Sequence, residues 1–125
     1  MSRQTFIFAG TSADDGDLVR LVEKMLGREF TREEGSDPYI RTGTTAVYLG
    51  SHDFDDDDIA GPTGLVIPLA SSYPALIEVR DTAGDQQRER EIASEIFAGL
   101  RSAARWPAVF IDDMQQIVDS YDPAG

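Results

Sequence analysis

ALIEVRDTAGDQQREREIASEIFAGLRSAA, residues 75–104, changes its period part-way along. Ala75–Arg80 alternates apolar and polar residues, which puts successive side chains on opposite faces of a strand. From Gln86 to Ala104 the apolar residues Ile92, Ala93, Ile96, Phe97, Leu100, Ala103 and Ala104 recur three and four apart, the stripe of an amphipathic helix. Between them, DTAGD supplies the turn. Gly84 reverses the chain, Asp85 stands where an N-cap belongs, and Glu89 is near the position of a capping box. Pro107 cannot continue the helix, and Ala108–Asp112 (AVFID) reads as a further strand. One strand–helix–strand unit is therefore written here.

A second such unit opens the chain. Thr5–Ala9 (TFIFA) is β-rich, and GTSADDG is turn chemistry. Asp17 is the expected N-cap of a helix over Leu18–Leu26, whose apolar stripe is Leu18, Val19, Leu21, Val22, Met25 and Leu26. Gly27 is its expected left-handed stop. Glu29–Arg32 reads as a short strand. Thr44–Leu49 reads as a strand extended back to Tyr39 through a bulge at Gly43. Gly64–Leu69 reads as another strand, with Pro68 marking an edge or an end, and an exposed edge there would allow a homodimer. Ser71–Pro74 reads as a turn. Met114–Tyr121 reads as a short terminal helix capped by Asp112 or Asp113, with Ile117 and Val118 docking, and DPAG (122–125) as a frayed end.

Two amphipathic helices each need one apolar surface. An antiparallel or mixed sheet with both helices on one face supplies it. The expected fold is α+β in the split βαβ, ferredoxin-like style, with a hairpin added around the acidic loop or the Tyr73-Pro74 turn. At 125 residues the chain is expected to be one domain, 1–125.

Lys plus Arg is 11 against 23 Asp plus Glu, a net charge of −12. Binding a phosphate backbone needs a basic stripe, so nucleic acid and an anionic membrane surface are not expected partners. Without cysteine there is no disulfide, thiolate metal site or cysteine nucleophile. The apolar run after the first residues is too short for the core of a secretory signal. The chain is expected to be cytoplasmic.

The acids concentrate in SHDFDDDD, Ser51–Asp58, where five of eight residues are aspartate. Asp53, Asp55 and Asp57 match the first positions of an EF-hand loop, but Asp58 stands where glycine is required and Gly64 where a bidentate glutamate is required. A specific metal site and a cofactor are not expected, although crowded carboxylates would welcome a divalent cation. His52, the only histidine, has no second histidine with which to hold a catalytic zinc, and Asp53 is on the other side of the strand direction. DTAG at 81–84 resembles the magnesium-side motif of small GTPases, yet no phosphate-cradling loop with its lysine accompanies it. No serine sits in a nucleophile elbow. Glu78 reads as the solvent-facing member of its strand. Phe54, an apolar ring among aspartates, reads as an anchor holding the run against the core.

The leading expectation is a non-enzymatic interaction protein. Asp53, Phe54, Asp55, Asp56, Asp57 and Asp58, with Tyr48 and Tyr73, are the expected partner-binding residues, and the partner is a basic protein. In size, acidity and α/β layout the chain is similar to small acidic bacterial proteins, including toxin-neutralising immunity proteins, although no residue motif is shared. A ligand- or divalent-cation-binding domain, and a small enzyme built on buried carboxylates, are the alternatives.

Overall fold

The computed structural model describes residues 5–59, 66–112 and 116–123. Within them the chain forms β1 (Thr5–Ala9), α1 (Gly16–Leu26), β2 (Tyr39–Thr42), β3 (Thr45–Gly50), α2 (Leu69–Ser72), β4 (Ala75–Asp81), α3 (Gln86–Ala103), β5 (Ala108–Asp112) and β6 (Gln116–Tyr121). The six strands make one antiparallel sheet in the order β2-β3-β4-β1-β5-β6. The class is α+β, as the two strand–helix–strand units imply. The units interleave: β1-α1-β3 steps over β4, and β4-α3-β5 steps over β1.

Both long helices cover the same face. Their stripes (Leu18 and Val22; Ile92, Ile96 and Leu100) meet every second strand residue, including Ile7, Val47, Leu49, Ile77, Val79 and Phe110. The opposite face also carries apolar side chains. Phe6, Phe8, Val109 and Ile111 alternate with the first set and bury against Ile59 and Leu69 from the β3–β4 connection. β1 is buried at all five positions because it is central and covered on both sides.

Local chemistry sets the helix ends. Asp15, rather than Asp17, caps α1: its Oδ1 accepts the Asp17 N–H at 2.9 Å and its Oδ2 accepts the Thr11 hydroxyl at 2.6 Å. Asp17 lies in the first turn, where its charge suits the helix dipole, and pairs with Arg20 and Arg105. Gly27 closes the helix at φ 69°, as expected. Asp85 caps α3 by accepting the Arg88 N–H at 3.0 Å. Glu89 does not complete a capping box. It is buried and turns to β4 and β1 instead.

Other expectations are corrected. Gly43 is not a bulge within one strand. With φ 62°, it is the first residue of a two-residue turn between β2 and β3, the position where a II′ hairpin turn needs glycine. Of Glu29–Arg32, Thr31 alone makes a bridge, to Tyr39. The strand expected over Gly64–Leu69 falls partly on residues 60–65, outside the described residues; beyond them Val66 is a bridge residue and Leu69 starts α2. Pro68 precedes that helix, a place where a missing N–H costs nothing. Ser71 and Ser72 are helical rather than part of a turn. The expected terminal helix over Met114–Tyr121 is β6 from Gln116 onward; residues 113–115, and 124–125 of the expected frayed end, lie outside the described residues. An extra residue at Val118 shifts the β5–β6 register between Phe110 and Ile111, so Ile117 packs on one face while Tyr121 packs on the other. A helix capped at Asp112 would have left β5 unpaired on that side. The added strands are β2 and β6 at the two sheet edges. The acidic loop lies in the connection between the neighbouring strands β3 and β4. Among the described residues, no helix is long and apolar enough to cross a membrane.

Candidate functional site

The acidic run leaves β3 at Gly50 and crosses the sheet face opposite the long helices. Phe54 fixes its path. The ring lies 6.0 Å from Phe6 and 5.7 Å from Phe8, centre to centre, and packs on the second apolar cluster. Half-burial of such a ring is worth about 1–2 kcal/mol. Two carboxylates a few ångströms apart in water repel by about 1 kcal/mol. The anchor is therefore large enough to hold a crowded acidic turn in place.

Three further ties act on the loop. His52 Nδ1 accepts the Phe54 N–H at 3.1 Å, so the proton resides on Nε2, which donates to the Tyr73 carbonyl at 2.7 Å. His52 thus braces the two ends of the connection. Asp56 Oδ1 accepts the Ser71 N–H at 2.8 Å, capping α2, which has no cap of its own. The two Ser71 hydrogen bonds hold the Asp56 carboxyl below the usual carboxylate range, that of the backbone N–H foremost. Asp58 Oδ2 accepts the Asp55 N–H at 2.8 Å and tightens the turn.

The five aspartates therefore divide. Asp56 and Asp58 serve the loop's own geometry. Asp53, Asp55 and Asp57 are exposed, and their carboxylates make no hydrogen bond or ion pair among the described residues. Asp55, Asp57 and Asp58 also bring one carboxylate oxygen each to within 4.8 Å of one another, the only such acidic group among the described residues.

Tyr73 shares this neighbourhood. It packs on the same apolar cluster, and burial, then the charge of Asp122, pushes its phenol above the usual value. Tyr48 does not join it. In register it stands between Tyr39 and Glu78, two strands from Phe6, or about 10 Å. There its ring lies 5.9 Å from that of Tyr39 and 6.0 Å from the Arg80 guanidinium. Glu78, expected to face solvent, is half-buried on that face and ion-paired to Arg80 at 2.6 Å.

The buried acids lie elsewhere. Asp81 and Glu89 sit between the end of β4 and the start of α3. Asp81 Oδ1 accepts the Thr44 and Thr45 hydroxyls, and its Oδ2 accepts the N–H groups of Ala83 and Asp85. Glu89 accepts the Asp81 N–H and the Thr5 hydroxyl. Asp112, also buried, lies 3.4 Å from Arg90. DTAG is thus a joint between strand and helix. Sequence reading assigned Asp81 no partner; the signal available was its place in a run of turn formers that also begins a helix. No protein-family model, curated protein or solved structure matches the chain.

Proposed function

We propose that the chain is a non-enzymatic interaction module that presents Asp53, Asp55 and Asp57 to a basic protein. The observation that carries this reading is their exposure on a loop held by Phe54, His52 and Asp56. A surface fixed before contact loses less conformational freedom on binding. Concentrated negative charge speeds encounter with a basic surface and suppresses acidic competitors. Tyr73, whose carbonyl holds His52, is a candidate anchor beside this surface, and an immunity-like role, occluding a basic toxin, is one form the function would take.

The test is affinity capture from source lysate at low salt, followed by association kinetics with any basic protein retained. The comparison is a variant carrying Asp53→Asn, Asp55→Asn and Asp57→Asn, which leaves the hydrogen bonds of Asp56 and Asp58 in place. Retention by the wild type alone, with an association rate that falls as salt rises, is expected. Equal retention by both, or a rate indifferent to salt, would overturn the reading.

A second reading has its own observation, the three converging carboxylates of Asp55, Asp57 and Asp58. A divalent cation held there would raise the melting temperature through linkage. Millimolar calcium that leaves the melting temperature of the wild type unchanged would remove it.

A further inference from the structure

At the end of the sheet where β1 and β3 finish and β4 begins, a cleft of 390 Å³ opens between α1, the segment before β2 and the end of β3. That volume is within the range of small-molecule sites. Val19, Pro38 and Pro74 give it apolar walls over the buried Leu49. Arg32, Asp14 and Asp37 bring charge to it. None of these three side chains makes an ion pair or a hydrogen bond among the described residues, although one cation and two anions line the same cleft. Asp37 is also seated closely: its carboxylate lies against Gly50, where an added Cβ would fall 2.5 Å from it. Only glycine leaves that carboxylate its place beside the cleft.

We propose that this cleft binds a free basic α-amino acid. Its carboxylate pairs with the Arg32 guanidinium, whose fork suits a planar anion. Its two ammonium groups answer Asp14 and Asp37. The two-to-one excess of acid over base selects a ligand of net positive charge over a neutral or acidic amino acid. Apolar contact with Val19 and Pro38 receives the methylene stem. The proposal does not depend on the docking role of the acidic loop.

The experiment is a titration of isotope-labelled protein with L-lysine, followed by backbone amide shifts, with L-glutamate and L-lysinamide as comparisons. Lysinamide keeps both cations and lacks the carboxylate. The expected result is saturable movement of the amides of Ser12–Asp14, Arg32, Asp37 and Leu49–Ser51 with lysine, weaker binding of lysinamide by about tenfold or more, and none of glutamate. Arg32→Gln should weaken lysine to the level of lysinamide. Equal binding of lysine and lysinamide by the wild type would mean that the acidic surface merely attracts cations, and would overturn the proposal. So would the absence of saturable shifts at these amides, or an Arg32→Gln variant that binds lysine unchanged.

Discussion

Glu89 Oε1 accepts the backbone N–H of Asp81 at 2.7 Å, which ties the first turn of α3 to the last residue of β4. The pair is buried, so water cannot replace the bond. Glu89→Ala would orphan that N–H and release the Thr5 hydroxyl, a loss of about 2–4 kcal/mol in unfolding free energy. Glu89→Gln keeps a carbonyl oxygen for the N–H and should lose clearly less. Urea denaturation of the two variants tests this. Equal losses would show that the bond is not what the glutamate contributes.

Asp81 makes the same joint sensitive to acid. The Thr44 hydroxyl, then the Asp85 N–H, hold its carboxyl below the 3.8 of the unfolded chain. Ionised Asp81 therefore stabilises the fold fully above that value, and the contribution disappears as pH falls through the lower, folded one. Asp81→Asn turns an amide donor toward hydroxyl and N–H donors, so it should melt below the wild type near neutral pH. The gap should narrow as pH falls through and below the ordinary carboxylate range, as the wild-type carboxyl takes up its proton. A gap that stays constant over that range would refute the assignment. Thermal melts at a series of pH values provide the measurement.

The two long helices and β4 were legible because their periods are unmixed, and β1 and β5 as short β-rich apolar runs, whereas the strand after α1 was misplaced at Glu29–Arg32. The second apolar layer was legible in principle: TFIFA and AVFID have no polar face, so each needs cover on both sides. Nothing local says that the cover comes from Ile59, Leu69 and Phe54, since these contacts join residues distant in sequence. Phe54 was readable as an anchor because an isolated ring among charges has few other uses. The division of the aspartates was not, because Asp56 and Asp53 differ only in whether Ser71 is near. β6 was misread as a helix because a short segment with adjacent Ile117 and Val118 fits either period when a bulge breaks the alternation. The Arg32 cleft joins three separate loops and strand ends and leaves no linear trace.

Gly99 marks the crossing of the two long helices. A Cβ there would run into the Met25 side chain of α1. Alanine for glycine inside a helix gains about 1 kcal/mol, whereas overpacking a filled contact costs about 1–3 kcal/mol. Gly99→Ala is therefore expected to destabilise the wild type. In a Met25→Ala background the obstacle is gone, and the same change should stabilise by about 0.5–1 kcal/mol. A double-mutant cycle by chemical denaturation reads the reversal of sign. Additive effects would mean that the two side chains do not meet.

Ala104 ends α3 in the left-handed region, at φ 55° and ψ 37°, with its N–H donating to the Leu100 carbonyl at 3.2 Å. It is the only residue other than glycine with positive φ among those described. Glycine is the usual occupant of such a position, because a Cβ there crowds the following carbonyl at a cost of about 1–2 kcal/mol. Alanine holds the conformation because the chain must turn at once: Trp106 packs on the main core, and Arg105 reaches Asp17 at 2.7 Å. Ala104→Gly removes the crowding but gives the unfolded chain more freedom, which returns part of the gain. The net expectation is a stabilisation of about 0.5–1 kcal/mol, a rise in melting temperature with the acidic loop untouched. A fall in melting temperature would mean that the left-handed turn is not the strained element here, and that the helix end is set by the Arg105 and Trp106 contacts alone.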